Sequence, residues 1–365
     1  MLNSFIHLLQ GHPPEHIVWT ADITYWISGQ KEAGTANPDW DTEEGYLRLH
    51  RDLGIMPYYY YEKFWVSAPG YRGDIQVFQE SSGGQITNRI QTPAGSLAET
   101  NVYLPDSCSV GCAKHYVENE PDLDILLYIL EHRQLQPANL ADYPARVQLW
   151  EKYDGLPSLG LPRSPLSSFV YEWAGLQAAA FLLADCPAKV AAALRLMEEQ
   201  EAPILDALCQ VRPRLVHFPD NLSSDNLAGY YNKYMAGAHT RRISRLHEAG
   251  IRAAVHLDGA VRGLLPKLVH AGFDAIEALT PYPGGDLTSQ EIAHLAGSDI
   301  VILWGGIPGI LFAPPFTWED MSAHLRRLLS DWQGRPFVLG VADQVPPNGN
   351  IDFCKRIADS LEMRK

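Results

Sequence analysis

The sequence has few cysteines and no long apolar run. Its five cysteines are odd in number and widely scattered, which indicates reduced thiols rather than a disulfide framework. No apolar stretch approaches the ~20 residues that a membrane-spanning helix needs. Residues 1–10 also lack the charged start and the cleavage site of a secretory signal. We therefore expect a cytoplasmic protein that does not enter a membrane.

Positive charge is also scarce. The chain of 365 residues has 29 lysines and arginines against 43 aspartates and glutamates, which gives a formal net charge of −14. This excess of negative charge repels phosphate backbones and anionic membranes, so neither nucleic acid nor a membrane is an expected partner. The sequence has no phosphate loop, dinucleotide fingerprint or Gly-x-Ser-x-Gly elbow either. A small molecule is the expected ligand.

What the sequence does contain is an alternation of short apolar runs with helical patterns, which is typical of βα units around a parallel sheet. Five such units follow one another in the second half, and three further strands are predicted in the first half. The eight predicted strands span residues 16–22, 54–60, 167–172, 214–219, 251–256, 274–278, 299–304 and 336–341. Eight strands close a barrel, so the predicted fold class is α/β: a (β/α)₈ TIM barrel forming one domain over residues 1–365.

About a hundred residues of different character separate the second and third predicted strands. Residues 71–103 are rich in Gly, Ser and Thr and contain alternating stretches, which predict small antiparallel hairpins. Residues 122–133 and 143–153 have helical patterns. We interpret residues 71–155 as an insertion that is either a decoration or a lid over the barrel mouth. We favour the lid, because long loops on this fold often shape the site.

Polar side chains follow or end most of the predicted strands, and in such a barrel these positions face the reaction centre. They are Asp22, Glu62, Glu172, His217, Asp220, His256, Asp258, Glu277, Trp304 and Asp343. Strand alternation puts His256 and Asp258 on the same side, pointing together into the mouth. The alternative is a core histidine beside a helix-capping aspartate. Asp22, Asp220 and Asp343 share that ambiguity, because aspartates near Gly and Pro often form turns.

Glu277 lies inside an apolar run, Ala275–Leu279. A carboxylate is rarely buried without a partner, because its desolvation is costly. Glu277 is therefore expected to face a metal or a proton donor, or to form a structural ion pair with a cation such as Arg252. The sequence alone does not separate these interpretations.

Two further features carry weaker signals. The aromatic residues between 58 and 65, among them Tyr60, either wall an apolar ligand pocket or fill the barrel core. Cys108 and Cys112 have a spacing within the range of zinc ligands, but only His115 lies near them. We interpret these two cysteines as incidental thiols.

Several short motifs occur together in the second half of the chain. They are Asp220-Asn-Leu, His256-Leu-Asp-Gly, Leu264-Leu-Pro-Lys-Leu, Ala271-Gly-Phe-Asp, Trp304-Gly-Gly-Ile and Val345-Pro-Pro, with Thr92-Pro-Ala-Gly further upstream. With these motifs the chain resembles the uroporphyrinogen decarboxylase superfamily, which includes corrinoid- and coenzyme M-linked methyltransferases. The resemblance covers most of the chain and implies a (β/α)₈ barrel.

Some residues of the chain differ from the family pattern, and these differences bear on which reaction is expected. True uroporphyrinogen decarboxylases carry an arginine-rich segment that grips the substrate's carboxylates, whereas residues 19–30 contain no arginine or lysine. The decarboxylases also place a histidine in the last-strand loop, where this chain has Asp343. The zinc methyltransferase branch uses a His-x-Cys pair and a downstream cysteine. Here the corresponding pair is His256 and Asp258, and Glu277 and Asp343 lie downstream.

The resemblance therefore implies a metal-dependent methyltransferase, which moves a methyl group from a small methylated compound to a corrinoid or a thiol. The proposed ligands of zinc or another divalent metal are His256, Glu277 and Asp343. The candidate catalytic residues are Asp22, Asp220 and Asp258, and the candidate substrate contacts are Tyr60, Glu62 and Trp304. A corrinoid protein and a second copy of the chain, in a homodimer, are the candidate protein partners.

Two alternatives stay open. One is a decarboxylase acting on uroporphyrinogen or on a smaller carboxylated molecule. The other is a non-catalytic barrel that binds a small ligand.

Overall fold

The computed structural model describes residues 1–60, 67–138, 140–297 and 300–362. In chain order the strands are β1 (Trp19–Thr20), β2 (Ser67–Tyr71), β3 (Gln76–Ser82), β4 (Gln85–Thr92), β5 (Gly95–Leu104), β6 (Ser109–Lys114), β7 (Arg133–Pro137), β8 (Leu215–Leu222), β9 (Arg252–Leu257), β10 (Ala275–Leu279), β11 (Ile302–Pro308) and β12 (Phe337–Ala342).

The α-helices are α1 (Leu2–Leu9), α2 (Thr24–Glu32), α3 (Glu43–Asp52), α4 (Glu120–His132), α5 (Tyr143–Glu151), α6 (Pro165–Ser168), α7 (Gly175–Asp185), α8 (Pro187–Glu199), α9 (Ala202–Val211), α10 (Tyr231–Tyr234), α11 (Ala236–Glu248), α12 (Leu265–Ala271), α13 (Ser289–Ala296), α14 (Trp318–Asp331) and α15 (Asp352–Glu362). A π-helical turn spans Phe169–Ala174. None of the helices in the described ranges has the length and apolar character needed to cross a membrane.

A six-stranded sheet forms the centre of the molecule, with the strand order β1-β12-β11-β10-β9-β8. Each neighbouring pair of strands is parallel. Helices α11 to α14 connect successive strands from β8 to β12. These strands are apolar and almost wholly buried, as expected for a parallel sheet that is covered on both faces. The predicted α/β class and the parallel sheet are confirmed.

Two segments outside these strands connect the edges of the sheet. At one edge, the amide of Met56 donates to the Trp19 carbonyl over 2.8 Å. At the other edge, the His217 amide donates to the Leu159 carbonyl, also over 2.8 Å. Segments 55–60 and 156–161 bond to each other as well, since the Leu156 amide donates to the Pro57 carbonyl over 3.1 Å. Backbone hydrogen bonds through these two segments therefore connect β1, at one edge of the sheet, with β8 at the other.

The predicted strand at residues 167–172 is wrong. These residues lie in α6 and in the π-helical turn that follows it. The buried residues Phe169, Val170 and Trp173 are spaced as on one face of a helix, and a short apolar run does not distinguish a helix from a strand. The place beside β8 is taken by residues 156–161, whose neighbouring glycines and prolines favoured a loop.

Residues 71–155 contain the predicted hairpins and helices. Strands β3 to β6 form a four-stranded antiparallel sheet, and β2 pairs with β7 in a separate antiparallel ribbon. The predicted helices at 122–133 and 143–153 correspond to α4 and α5.

Candidate metal centre

A cavity of about 500 Å³ opens at the carboxyl ends of the central strands. This volume suits a small organic molecule. The described residues that line it are Thr24, Tyr25, Ser28, Tyr59, Arg163, His217, Pro219, Asn221, His256, Asp258, Asp343 and Gln344. A cavity of similar volume, about 460 Å³, lies beside α1, but its described lining contains no carboxylate.

Three side chains that could hold a metal meet here: His217 and His256, which line the cavity, and the buried Glu277, which lies against both. One ligand atom from each lies within 4.8 Å of the other two. Glu277 on β10 is in register with His256 on the neighbouring strand β9, so their side chains emerge side by side. The distance from Glu277 Oε2 is 2.5 Å to His256 Nδ1 and 3.5 Å to His217 Nε2. The Tyr59 hydroxyl donates to Glu277 Oε1 and fixes the other side of the carboxylate.

The electrostatics of the cluster follow from burial and mutual contact. Burial alone would raise the pKa of Glu277, but His256, His217 and the Tyr59 hydroxyl together hold it below its usual value. Burial lowers the pKa of His217 to about 4. Burial acts in the same direction on His256, yet the adjacent Glu277 outweighs it and raises the His256 pKa to about 9. At neutral pH the cluster therefore contains an ion pair, His256 with Glu277, next to a neutral His217.

Two imidazole nitrogens and one carboxylate oxygen are a donor set that zinc accepts, with an open side for a substrate. The same set also suits other first-row divalent metals. Donors held 2.0–2.2 Å from a tetrahedral zinc lie about 3.4 Å apart. The 3.5 Å between His217 Nε2 and Glu277 Oε2 is close to that separation. The 2.5 Å between His256 Nδ1 and Glu277 Oε2 is instead a hydrogen-bond distance, so an ion would replace the proton between these two groups and move them apart by roughly 1 Å. The residues present therefore fit a catalytic metal.

Asp258 and Asp343, both predicted site residues, line the same cavity. Burial raises the pKa of Asp343 to about 6, and the neighbouring carboxylates act in the same direction against the opposing effect of His256. Asp343 also has a φ of 66°, a left-handed conformation that aspartate adopts more readily than most residues and that occurs in turns and at functional sites. Asp343 lies beside the group of three donors that the structure brings together.

Asp220 is fully buried outside the cavity lining. Its Oδ2 lies 2.7 Å from His239 Nε2, and its Oδ1 accepts a hydrogen bond of 2.6 Å from the Ser164 amide. His239 Nδ1 in turn lies 3.1 Å from the Tyr231 hydroxyl. Burial alone would raise the pKa of Asp220, but the contact with His239 keeps it below its usual value. Asp220 thus fastens β8 to α11 and to the loop before α6.

Asp22 is also buried, two residues after the end of β1. Its Oδ1 accepts hydrogen bonds from the amide and the hydroxyl of Thr24, over 2.9 and 2.7 Å. The Thr24 hydroxyl also lies 3.0 Å from Gln344 Oε1. Asp22 therefore positions Thr24, which lines the cavity, and is not itself among the described lining residues.

Two of the three predicted substrate contacts, Tyr60 and Trp304, are not among the described residues that line the cavity. The ring of Tyr60 packs against that of Tyr46, with 5.3 Å between centroids. Trp304 packs against Phe5 of α1 and donates from Nε1 to the Thr20 hydroxyl over 2.8 Å. Because β11 continues to Pro308, Trp304 lies roughly 13 Å before the carboxyl end of its strand. Glu62 is outside the described residues.

Two site residues were absent from the ligand and contact sets proposed from the sequence: His217 and Tyr59. His217 was recognised as a polar residue near a strand end, but nothing in the sequence pairs it with Glu277, two strands away. The signal that singled out Glu277 is an ionisable side chain inside an apolar strand. The same signal applies to His217 within Leu215–Phe218. For Tyr59, next to Tyr60, the sequence offers no distinguishing signal.

No family model and no curated protein matches this sequence. Solved structures do match. The chain is similar to a methyltransferase from Methanosarcina mazei, with a TM-score of 0.62, 12% identity, and coverage of 99% of this chain and 98% of that one. A B12-independent methionine synthase from Shewanella sp. W3-18-1 matches with a TM-score of 0.44 and 13% identity, over 73% of this chain and 75% of that one. The first likeness establishes a shared fold along the whole chain.

Proposed function

We propose that this chain is a metal-dependent methyltransferase of the uroporphyrinogen decarboxylase superfamily. The observation that carries the proposal is the cluster of His217, His256 and Glu277 at the cavity. Segments 55–60 and 156–161 would complete the six-stranded sheet to an eight-stranded barrel, with this cavity at its mouth. The fold shared with the M. mazei methyltransferase supports the eight-stranded barrel and the proposal of methyl transfer.

Neighbouring residues of the protein hold the donor side chains in position before any ion binds. Tyr59 holds Glu277 Oε1, and the Tyr58 hydroxyl lies 3.5 Å from His217 Nδ1, which leaves Nε2 of that ring facing Glu277. Such outer contacts orient ligands and tune a metal. A bound zinc would supply a Lewis acid that activates a thiol or polarises the heteroatom carrying the methyl group. His256 must release a proton to become a ligand, and Asp343, a carboxylate in the same cavity whose charge acts on His256, is the group that would receive it.

The charges of the cavity suggest the class of substrate. Among its described lining residues Arg163 carries the only permanent positive charge, while Asp258 and Asp343 supply carboxylates. A small zwitterion would place its carboxylate at Arg163 and a methylated, positively charged nitrogen or sulfur near the aspartates. A porphyrinogen with eight carboxylates would meet one arginine and two acids. We therefore place methyl transfer from a small zwitterionic compound ahead of uroporphyrinogen decarboxylation.

The reaction class can be tested with the zinc-loaded protein. Methylated amines, betaines and thioethers are offered as donors, with a free thiol or cob(I)alamin as the acceptor, and the methylated product is measured. We expect transfer that requires the metal. Carbon dioxide release from uroporphyrinogen or a smaller carboxylated compound is measured in parallel. Decarboxylation without methyl transfer would contradict the proposal, and ligand binding without turnover would favour the non-catalytic barrel.

Arg163→Gln tests the substrate class. Losing one charge-assisted hydrogen bond costs about 1.5–3 kcal/mol, so KM for a carboxylated donor should rise about 10- to 100-fold, with a much smaller change in kcat. Arg195→Gln is the matched control, since Arg195 lies on the surface and pairs with Glu199. An unchanged KM in Arg163→Gln, or an equal effect in the control, would contradict this assignment.

The lid interpretation of residues 71–155 remains a prediction, because the described residues lining the cavity come from outside that range. The corrinoid protein and the homodimer remain proposals as well.

A further inference from the structure

A second group of metal-ligating side chains lies in the antiparallel sheet, away from the barrel cavity. It consists of Glu99 on β5, Cys112 on β6, and His115 just after β6. One ligand atom from each of the three lies within 4.8 Å of the other two. Cys112 Sγ lies 3.4 Å from His115 Nδ1 and 4.0 Å from Glu99 Oε1.

These separations are close to those around a tetrahedral zinc. With zinc–sulfur bonds of about 2.3 Å and zinc–nitrogen or zinc–oxygen bonds of about 2.0–2.2 Å, sulfur lies about 3.6 Å from the other donors. Both observed distances from Cys112 Sγ differ from this value by less than half an ångström. Small side-chain rotations suffice to bring the three donors onto one ion.

Neighbouring residues hold the donors in place. Glu99 Oε2 accepts hydrogen bonds from the side-chain amides of Asn101 and Asn88, over 2.9 and 3.2 Å, which leaves Oε1 facing the thiol. On the other side, the His115 ring packs against Gly175, where an added Cβ would lie 2.4 Å from His115 Cδ2. Both contacts are of the kind that orients metal ligands from outside the coordination sphere.

The backbone is also irregular at this point. Asn101 pairs with Cys112, whereas the preceding Thr100 pairs with Lys114, so the β5–β6 ladder contains a bulge. Bulges redirect side chains and are common beside functional sites. After the bulge, the chain runs back to the helical region, where the Val117 amide donates to the Trp173 carbonyl over 2.9 Å. This anchors the segment that carries His115.

We propose that Glu99, Cys112 and His115 form a second zinc site, independent of the barrel centre. Thiolate, imidazole and carboxylate together select zinc or a similar transition metal over magnesium or calcium. Three protein donors leave one tetrahedral position, which water would fill. The bound ion would tie β5 and β6 to the segment that follows β6, whose His115 ring packs against Gly175 at the start of α7.

Cobalt(II) is the probe, because a thiolate ligand gives it a charge-transfer absorption in the near ultraviolet that nitrogen and oxygen ligands do not. The described donors of the barrel centre contain no sulfur, so this band reports on the second site alone. We expect the band in the wild type and in His256→Ala, and its loss in Cys112→Ser and His115→Ala. Cys108→Ser is the matched control and should keep the band, since Cys108 lies four residues away and contacts the Pro105 carbonyl.

Zinc stoichiometry gives a second readout on the same proteins. The wild type should bind one more equivalent than Cys112→Ser, while Cys108→Ser should match the wild type. Absence of the cobalt band from the wild type would overturn the proposal. So would a band that persists in Cys112→Ser, or that is lost equally in Cys108→Ser.

Discussion

Glu277→Gln is expected to lower kcat/KM for methyl transfer by about 10²- to 10³-fold, because losing the metal removes several kcal/mol of transition-state stabilisation. Glutamine preserves the shape of the side chain but supplies no negative charge to an ion or to His256. Glu277 is only 1% exposed, and its oxygens face His217, His256 and Tyr59. No other described carboxylate belongs to this group of donors.

The control for this variant is Glu248→Gln, at the exposed end of α11. It should retain both the activity and the metal content of the wild type. Steady-state kinetics and metal analysis on the same protein samples separate a loss of metal from a loss of folding. Full activity of Glu277→Gln, with its metal retained, would contradict the ligand assignment.

Asp220→Ala should lower the free energy of unfolding by about 3–5 kcal/mol, the usual cost of breaking a buried charged pair. The substitution leaves His239 Nε2 and the Ser164 amide without their acceptor in the core. Urea denaturation measures the effect. Asp258→Ala is the comparison, since Asp258 faces the open cavity and its removal should change stability by about 0.5 kcal/mol or less.

The pH dependence of the free energy of unfolding provides a second test of the structural role of Asp220. The pKa of Asp220 in the folded chain is held below its value in the unfolded chain, which is about 3.9. Its contribution to stability is therefore complete above that pH and is lost as the pH falls through the folded-state pKa. Asp220→Ala should show a weaker loss of stability on acidification than the wild type. Equal acid sensitivity in both proteins would count against a structural role for Asp220.

The fold of the second half could be predicted because its strands are continuous apolar runs and glycines end several of its helices. The same regularity placed His256 and Glu277 on adjacent strands. The third strand was missed because residues 156–161 contain Pro157 and Gly160, which favour a loop. The extended conformation of this segment depends on hydrogen bonds to Pro57 and His217, which lie far away in sequence. Local pattern could not supply those contacts.

The misplaced site residues have specific physical causes. On β8 the pairing with β9 is irregular between Phe218 and Leu222, and Asn221 has a φ of 49°. The alternation of side chains nevertheless holds, since His217, Pro219 and Asn221 line the cavity. Asp220 therefore faces the opposite side of the strand, where it meets His239. On β11 the strand continues beyond its predicted end, which leaves Trp304 in the core.

The choice of metal ligands could not be settled from the sequence. His217 and Glu277 are sixty residues apart, and only the strand order β8-β9-β10 brings them to 3.5 Å. The resemblance suggested Asp343 as the third ligand, whereas the structure groups His217 with His256 and Glu277. Asp343 remains in the same cavity, where its raised pKa of about 6 suits a group that exchanges protons with a substrate.

The most direct test of the central claim is anomalous X-ray scattering at the zinc edge from crystals of the zinc-loaded protein. We predict a peak at the cavity, about 2.0–2.2 Å from one nitrogen each of His217 and His256 and from an oxygen of Glu277. The peak should be absent from crystals of Glu277→Gln. A zinc-saturated wild type without density at these three side chains would contradict the account.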